Sequence, residues 1–507
     1  MLKSLWSLCG FKVGCSDQSY HSETGHVFPV HFIDQAGLIR ASIINYTLRF
    51  NDILSPSKLH SSLVELLEIG DWRKLGGRLR RTESGDIVIV VPTVFDSNRP
   101  AVRFSHVKFG IRIEEHPLGN HLPKKTGPYP SVQEGCHAFL PLSVPHNLPG
   151  DIEHYYTTDE PLISLHVTSF TDATLVSITF PHLVCDVMGT AELLRAWSTI
   201  LAGQYDCIPA LHGASQDVMA NVGTLEDEKT EKPYLLEHRQ IKGLSLLSFI
   251  VRFVWDLLTR RNVQSRTIFL PARYLSNMRE TAERQLPIDP QTRSPPFLSD
   301  GDLITAWGSQ MVMSSSPRKK PAIICNVFDI RRRLKNVFTP GGAYLQNLIL
   351  PASVLLSAQE KSNTSLGQIA LHLRQAIIEQ TTDIQARRLM RIMKASIKST
   401  GFMPLFGDPA SRIIAFTNWS KAKLAESANF SPAVTENHHI LSPTVRKSSC
   451  VSYWGTTIGK SDNPRDTFVI YGKDDNDNYW VHAYLRSETW DLIDAEFSRY
   501  QRSSSST

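Results

Sequence analysis

The chain has 507 residues, of which 41% are hydrophobic and 20% are charged, and its formal net charge is +5. This length exceeds what one ordinary hydrophobic core accommodates, so a soluble globular protein of roughly two to four domains is expected. The positive charge is not gathered into a dense Lys/Arg tract, which argues against a nucleic-acid-binding arm. No apolar run reaches the roughly 18 residues that a membrane span needs.

The seven cysteines are dispersed along the chain, and none forms a CxxC pair. This pattern argues against a disulfide framework and against a zinc site, so no metal is expected. A reducing compartment suits it best, and we expect a cytoplasmic protein. The apolar run that comes nearest to a membrane span is 244–258, which Arg252 and Asp256 interrupt. Peripheral membrane contact through this segment remains an alternative.

The first 160 residues predict short helices and strands. Residues 1–25 are expected to form a loose leader. A cap residue and a proline precede leucines at helical spacing, which predicts an amphipathic helix from Ser55 that Gly70 closes. The leucines of its apolar face are Leu59, Leu63, Leu66 and Leu67. The turn Ser84-Gly85-Asp86 between two strand-like runs predicts a hairpin, and residues 92–160 predict loops and short strands.

Strand patterns return before residue 180 and alternate with helices through the second half. Apolar residues alternate with Ser177 and Thr179, which predicts a strand with one apolar and one polar face. A polar stretch, 216–240, predicts a linker between an N-terminal domain, 1–215, and a C-terminal domain, 241–507. The second half predicts helices near 244–258, 299–313 and 364–380, and strands near 266–270, 321–328, 467–471 and 479–485. The fold class is therefore α/β or α+β.

One histidine stands out among the chain's eighteen. His182 alone is followed by an aspartate four residues later, Asp186, at the junction of a predicted strand and a predicted helix. An unperturbed imidazole is neutral at physiological pH and suits a general base that deprotonates an alcohol or amine. Asp186 could orient the ring, or it could pair with an arginine and brace the loop, and we favour the brace. A satisfied loop histidine beside a helix-capping aspartate is the bland alternative.

These residues resemble the BAHD acyltransferases, which transfer acyl groups from coenzyme A thioesters. His182, Asp186 and Gly189 match the family's HxxxDxxG signature, and the resemblance extends from about residue 28 to 495. Further elements fall in the family's order: Phe32-Ile33-Asp34-Gln35, Leu75-Gly76-Gly77-Arg78-Leu79, Ser299-Asp300 with Leu303, Ala306 and Trp307, the strand Asn326 to Leu334, Tyr344-Leu345-Gln346-Asn347 and Thr417-Asn418-Trp419. Asp71-Trp72-Arg73-Lys74-Leu75 and Ile268-Phe269-Leu270-Pro271 resemble fungal members more than plant members.

The resemblance implies two similar domains like chloramphenicol acetyltransferase, each a mixed β-sheet with helices, with a channel between them. His182 would lie midway along this channel and be reachable from both ends. Asp186 would pair with Arg331, with Asp329 and Gly189 as structural support. Thr417 and Trp419 would lie near the oxyanion, although a packed core aromatic is an equally good interpretation of Trp419.

The chain also departs from the family pattern. The family's Asp-Phe-Gly-Trp-Gly loop corresponds to 429–433, where only Phe430 is kept. That loop is structural in the family, so its loss does not exclude activity. Gln346 replaces a glycine of the family and Val187 replaces another after the aspartate.

Together these observations predict an acyl-CoA-dependent O-acyltransferase, with acetyl as the expected group. The acceptor would be a hydroxyl of a hydrophobic secondary metabolite such as a terpenoid, meroterpenoid or alkaloid. Acyl-CoA would be a co-substrate, with no permanently bound cofactor, and the protein would be a monomer. Three alternatives stay open: an acyl-enzyme on Cys185, transfer from a carrier-protein thioester as in condensation domains, and a non-catalytic relative that binds a small apolar ligand. Acceptor identity, acyl length and O- versus N-acylation stay open too.

Overall fold

The structure is a computed structural model that describes residues 25–224, 232–260, 262–288, 290–291, 293–315, 320–435, 450–459 and 464–505, without the side chains of 361, 362 and 505. The predicted leader, apart from Gly25, and part of the predicted linker, 225–231, lie outside the described residues. No helix within the described ranges is long and apolar enough to cross a membrane.

Strands and helices are mixed along the whole described chain. The strands are β1 (Gly25–Pro29), β2 (Ile43–Phe50), β3 (Arg78–Arg81), β4 (Ile87–Pro92), β5 (Val102–Lys108), β6 (Ser131–Glu134), β7 (Ile163–Ser169), β8 (Thr174–Pro181), β9 (Val263–Leu270), β10 (Ala322–Asp329), β11 (Ile349–Leu356), β12 (Arg412–Asn418), β13 (Ser452–Ile458), β14 (Thr467–Lys473) and β15 (Tyr479–Arg486). The helices are α1 (Gly37–Ala41), α2 (Pro56–Leu66), α3 (Leu140–Ser143), α4 (Ile152–Thr157), α5 (Val187–Leu201), α6 (Leu244–Thr259), α7 (Ala272–Arg284), α8 (Asp300–Ser314), α9 (Ala358–Asn363), α10 (Leu366–Gln380), α11 (Asp383–Thr400), α12 (Leu424–Ser427) and α13 (Ser487–Ser505).

The strands form two large mixed sheets and one small sheet. The first large sheet has the order β13-β2-β8-β7-β5, the second has the order β11-β10-β12-β14-β15-β9-β6, and the small sheet has the order β1-β4-β3. Parallel and antiparallel pairs occur in both large sheets. Mixed sheets with helices packed against them confirm the predicted fold class.

The two large sheets exchange one edge strand each. β6, from the first half of the chain, pairs with β9 in the second sheet. β13, from the second half, pairs with β2 in the first sheet. We therefore propose the predicted division at 216–240 for the two units, with β6 and β13 exchanged between them.

Several sequence patterns are confirmed by the packing. Ser55 caps α2 by accepting a hydrogen bond from the Lys58 amide, and the four leucines predicted to face the core are fully buried. The helix ends at Leu66, earlier than predicted, and Gly70 instead opens a 3-10 turn in the left-handed region at φ 46°. The predicted hairpin forms between β3 and β4.

The expected polar face of β8 is buried as well as its apolar face, contrary to a simple half-exposed strand. Thr179 accepts from Asn45 at 2.9 Å, and Ser177 is 2.9 Å from Thr47 across the β2–β8 pair. Asn45 also donates to the Ser143 carbonyl of α3, which covers this face. Buried hydroxyls and amides are tolerated here because they satisfy one another.

The described parts of the predicted linker are packed. Met219, Val222 and Tyr234 are buried in a hydrophobic cluster with residues of α11. Lys394 of α11 donates to the carbonyls of Met219 and Val222. The crossing segment, the described part of 216–240, is thus packed where the two halves of the chain meet.

Candidate active site

The loop between β8 and α5 carries His182, and its backbone is held at both ends. β8 ends at Pro181, which pairs with Ile43 of β2. The His182 amide donates to the Ser42 carbonyl at 2.8 Å, and its carbonyl accepts from Asn347 Nδ2 at 2.9 Å. The histidine is therefore fixed by contacts from both halves of the chain.

The imidazole of His182 has one nitrogen engaged and one available. Nδ1 lies 3.2 Å from the Cys185 carbonyl, and because a carbonyl only accepts, Nδ1 carries the hydrogen. This assigns the lone pair to Nε2, to which no described residue forms a hydrogen bond. The side chain is half-buried. Burial lowers the pKa of His182 below 6.5, against the opposing influence of the Cys185 carbonyl and Asp186, so the ring is neutral at physiological pH.

Asp186 does not contact the imidazole and instead braces the loop. Its Oδ1 accepts from the Gly189 amide at 2.8 Å, which makes it the N-cap of α5. Its Oδ2 accepts from the Leu348 amide at 2.9 Å. Arg331 donates to both oxygens, each at 2.9 Å. The same carboxylate thus caps α5 and pairs with Arg331.

Arg331 joins five acceptors in a largely buried position. Besides Asp186, it donates to Asp329 at 2.7 Å and to the carbonyls of Tyr344 and Gln346 at 3.1 and 3.0 Å. Burial by itself would lower its pKa, but the two carboxylates outweigh burial and raise it. Burial raises the pKa of Asp329. Such a bidentate guanidinium–carboxylate pair fixes geometry as well as charge.

The Arg331–Asp186 pair is one clamp on the loop, and Asp34 and Asn347 form a second clamp behind the histidine. Asp34 Oδ1 accepts from both the backbone amide and the Nδ2 of Asn347, each at 2.8 Å. Asn347 Nδ2 also donates to the His182 carbonyl, so the chain Asp34–Asn347–His182 is continuous. Burial raises the pKa of Asp34 to about 7, and hydrogen bonds from Asn347 oppose this shift. Neither residue was predicted as a site residue.

Gly189 lies where α5 meets the second half of the chain. A Cβ built on this glycine would lie 2.3 Å from the Leu345 carbonyl oxygen and 2.9 Å from the Cys185 Cβ. No side chain fits without displacing the backbone of the segment that carries Asn347. This close approach explains why the position three residues after Asp186 is a glycine.

Thr417 lies at the end of β12, and Trp419 directly follows that strand. Trp419 Nε1 donates to Thr417 Oγ1 at 3.2 Å, and the Trp419 ring packs on Gly455 and lies 5.3 Å from the Tyr46 ring. Burial raises the pKa of Tyr46 well above its usual value, and the Thr190 side chain of α5 opposes this shift. Trp419 is buried, so it is a packed aromatic in the same hydrophobic core as Tyr46 and α5.

Cys185 is enclosed within the motif. Its side chain is 1% exposed, and Sγ lies 3.6 Å from Thr190 Oγ1. Burial raises its pKa far above the usual value for a thiol, so the side chain is the protonated thiol at neutral pH. The described residues contain no group of three or more His, Cys, Asp or Glu side chains that could hold a metal ion.

The chain matches known proteins along most of its length. A model of the Transferase family matches residues 147–428, more than half of the chain. Acetyltransferase BOT5 of Botryotinia fuckeliana is 50% identical over 495 residues, covering 94% of this chain and 91% of BOT5. Acetyltransferase pyiB of Pyricularia grisea is 36% identical, covering 95% of each chain. O-acetyltransferase PaAT-2 of Phomopsis amygdali is 34% identical, covering 93% of this chain and 98% of PaAT-2.

The chain belongs to this Transferase family. It is a fungal-type BAHD acyltransferase, as the motifs predicted. Among solved structures, TRI101 of F. sporotrichioides complexed with coenzyme A and T-2 superposes with a TM-score of 0.65 at 15% identity. The match covers 94% of this chain and 98% of TRI101. At that identity the likeness shows the fold alone, which is the predicted two-domain arrangement.

The loop that departs from the family's Asp-Phe-Gly-Trp-Gly pattern is packed against the first half of the chain. Phe430, the one residue kept from the Asp-Phe-Gly-Trp-Gly loop, is fully buried with its ring 4.5 Å from Trp197 and 5.3 Å from Phe50. Lys58 Nζ donates to the Pro432 carbonyl at 2.6 Å. The altered loop therefore still packs against α2 and α5 of the first half.

Gln346, which replaces a glycine of the BAHD pattern, is buried and contacts a partly buried group of charged residues. Its Nε2 donates to Asp217 Oδ1 at 3.0 Å. Beside Asp217, the Lys74 ammonium donates to the Ala214 carbonyl at 3.1 Å, and burial lowers the pKa of Lys74 to about 8. The side chain thus ties the crossing segment near Asp217 to the segment that binds Arg331.

Sequence reasoning named the elements that carry Asp34 and Asn347 without assigning them a role. The sequence did contain a signal for Asp34 and Asn347, because both lie in motifs that carry the family resemblance. Tyr46 had no comparable signal, since a tyrosine in a buried strand is typical of an ordinary core. Its packing against the rings of Phe180 and Trp419 becomes apparent only from the structure.

Proposed function

We propose that this acyltransferase moves an acyl group, with acetyl as the expected group, from coenzyme A to a hydroxyl of a hydrophobic secondary metabolite. The carrying observation is the His182 ring, which has Nδ1 bound to a carbonyl and Nε2 available at the contact of the two halves. The relatives named acetyltransferases support the acyl group. The TRI101 complex with coenzyme A and T-2 supports the pairing of a thioester with a small organic acceptor.

The mechanism is direct transfer in a ternary complex. His182 Nε2 takes the proton of the acceptor hydroxyl as the oxygen attacks the thioester carbon, which gives a tetrahedral intermediate. The intermediate collapses, the carbon–sulfur bond breaks, and the imidazolium returns its proton to the departing thiolate. The products are an ester and free coenzyme A. A lowered pKa suits this role, because the ring must be unprotonated when the acceptor arrives.

Of Thr417 and Trp419, Thr417 is the better candidate to donate a hydrogen bond to the oxyanion of the tetrahedral intermediate. Trp419 Nε1 already donates to Thr417 Oγ1, which leaves the Thr417 hydroxyl hydrogen available to donate elsewhere. A donor fixed in this way stabilises developing negative charge without reorganising. Trp419 then acts as a positioning residue. Asp186, Arg331, Asp329 and Gly189 support the loop.

The remaining parts of the proposal concern access and location. Coenzyme A and the acceptor would approach His182 through a channel between the two units, from opposite faces. The acceptor class is a terpenoid, meroterpenoid or alkaloid alcohol. The protein would act as a monomer in the cytoplasm with no permanently bound cofactor.

The test follows thiol release from acetyl-CoA in the presence of lipophilic alcohols, with mass spectrometry of the ester. His182→Ala should lower the rate by about 10²- to 10⁴-fold, the usual contribution of a general base. His60→Ala is the matched control, because His60 is also half-buried but stacks on Phe104 away from the motif. Full turnover by His182→Ala contradicts the base assignment. Transfer only from a carrier-protein thioester favours the condensation alternative, and no transfer by the wild type from any donor favours the non-catalytic one.

Direct transfer is distinguished from an acyl-enzyme by Cys185→Ser. The enclosed, protonated thiol supports direct transfer, and the variant should retain turnover within a few-fold of the wild type. Loss of turnover together with an acylated Cys185 in the wild type, detected by peptide mass spectrometry, would establish the covalent route instead.

A further inference from the structure

The helix α6 presents an apolar stripe to solvent. Every third or fourth residue on one face is apolar and between 45% and 86% exposed, and the helix contributes no fully buried residue. The stripe consists of Leu244, Leu247, Val251, Trp255 and Leu258. Exposed apolar residues scattered singly are ordinary, whereas five of them in one continuous stripe form a candidate binding surface.

The helix is fixed to the protein near its C-terminal end, through Asp256, which lies off the stripe. Arg465 donates to the backbone carbonyl of Asp256 at 3.1 Å and to its carboxylate at 3.2 Å. Arg486 donates to the same carboxylate at 2.7 Å. These bonds hold the apolar stripe outward and engage Asp256, the only acidic residue of the helix.

Cations border the stripe. A groove of about 710 Å³ beside it is lined by Arg252, Arg260 and Lys320 together with Trp255. Lys242 is exposed immediately before the helix. Asp256 also lines the groove, where it pairs with Arg465, Arg486 and, at 3.8 Å, Arg260. One carboxylate against three lining cations leaves the groove with net positive charge next to an apolar surface.

We propose that α6 binds the surface of an anionic phospholipid bilayer. The apolar stripe would enter the boundary of headgroups and acyl chains, Trp255 would lie at the headgroup level, and the groove cations would meet the lipid phosphates. This inference is independent of the proposed chemistry. It would place the enzyme where hydrophobic acceptors concentrate.

The area of the stripe argues against a second copy as the occupant. A helix of 16 residues is about 24 Å long. With a stripe about 10 Å wide, it offers roughly 240 Å², whereas a stable pair buries about 800 Å² on each partner. Cations around the stripe would also repel each other in a symmetric pair, but they match an anionic membrane.

The experiment measures co-sedimentation of the full chain with vesicles of phosphatidylcholine, with and without phosphatidylserine. The wild type should bind the anionic vesicles, and added salt should weaken binding. The triple variant Leu247→Ser/Val251→Ser/Trp255→Ser should bind on the order of a hundredfold more weakly. The matched control is Leu38→Ser/Val94→Ser, at two sites that are 72% and 68% exposed on other elements.

Separate measurements test the role of the groove cations and the depth at which Trp255 enters the bilayer. Arg252→Gln and Lys320→Gln should each lower binding to anionic vesicles about fivefold. The chain has nine tryptophans, so the difference between wild-type and Trp255→Phe emission isolates Trp255. Brominated lipids should quench that difference signal.

Four results would overturn the proposal. They are no binding to either vesicle, equal binding to neutral and anionic vesicles, full binding by the triple variant, and a wild-type dimer in sedimentation velocity that the triple variant abolishes. The last result would assign the stripe to a second copy of the chain.

Discussion

Arg331→Met should loosen the loop that carries the histidine more than any other single change near the motif. The substitution removes all five hydrogen bonds of the guanidinium and leaves the carboxylates of Asp186 and Asp329 without their cation. The Arg331 side chain is 13% exposed and that of Asp186 is 4% exposed, so water compensates little. Removing one partner of such a buried pair costs about 3–5 kcal/mol.

The loss should appear locally in amide hydrogen exchange. The amides of Gly189 and Leu348 both donate to Asp186, so both report on the same carboxylate from opposite halves of the chain. At 1.36 kcal/mol per tenfold, 3–5 kcal/mol corresponds to roughly 150- to 5,000-fold faster exchange of both amides in Arg331→Met. The amides of α10 belong to a separate core and should be unchanged.

A double-mutant cycle isolates the ion pair. Asp186→Asn keeps a side-chain oxygen to cap α5 but removes the charge. If the pair acts as a unit, Asp186→Asn combined with Arg331→Met should cost at least about 1 kcal/mol less than the sum of the single changes. Additive free-energy changes in the cycle would refute the Arg331–Asp186 clamp. Amide exchange that is less than tenfold faster in Arg331→Met would refute it too.

Three further outcomes follow from the site. Because burial lowers the pKa of His182 below 6.5, the pH profile of kcat/KM should be flat above pH 7 and fall only at lower pH; an inflection above 6.5 contradicts this. Burial raises the pKa of Asp34 from 3.8 to about 7, so between these pH values the folded state keeps a proton that the unfolded state has released. The stability that this group contributes at low pH is therefore lost as the pH rises through 7. Asp34→Asn, which still accepts from Asn347, should therefore gain urea stability over the wild type between pH 5 and 8, and a constant difference rejects the assignment. Gly189→Ala should lose about 1–3 kcal/mol in urea unfolding because its methyl meets a backbone oxygen, whereas Gly110→Ala, with open space around the added Cβ, should change within about 0.5 kcal/mol.

Local sequence patterns predicted those helices and hairpins whose formation depends on residues close together in the sequence. The cap at Ser55 and the leucine spacing that follows determine α2 without reference to the rest of the chain. The turn at Gly85 likewise specifies its hairpin. The family resemblance then supplied what local patterns lack, including the pairing of Asp186 with a distant arginine.

Other features depend on distant partners and left no local signal. β6 has only four residues and takes its place from pairing with β9, which no pattern within 131–134 could indicate. β13 is assigned to the first sheet by its register with β2. Thr179 looks like a solvent-facing residue until Asn45 and the covering helix α3 are placed. Sequence periodicity reports polarity, whereas burial also depends on whether a polar partner is available.

The site shows why a short motif is a weak signal by itself and a strong one in its setting. His182 and Asp186 are four residues apart, yet the groups that fix them, Asp34, Arg331 and Asn347, come from three other elements in both halves. A histidine and an aspartate at this spacing arise readily by chance. Their clamps do not, because each clamp requires a buried charge or amide that is costly to retain unless its partner is present. The cost of burying those partners therefore ties the position of His182, the proposed base, to the correct docking of the two halves, because its imidazole is held in place only when both have folded.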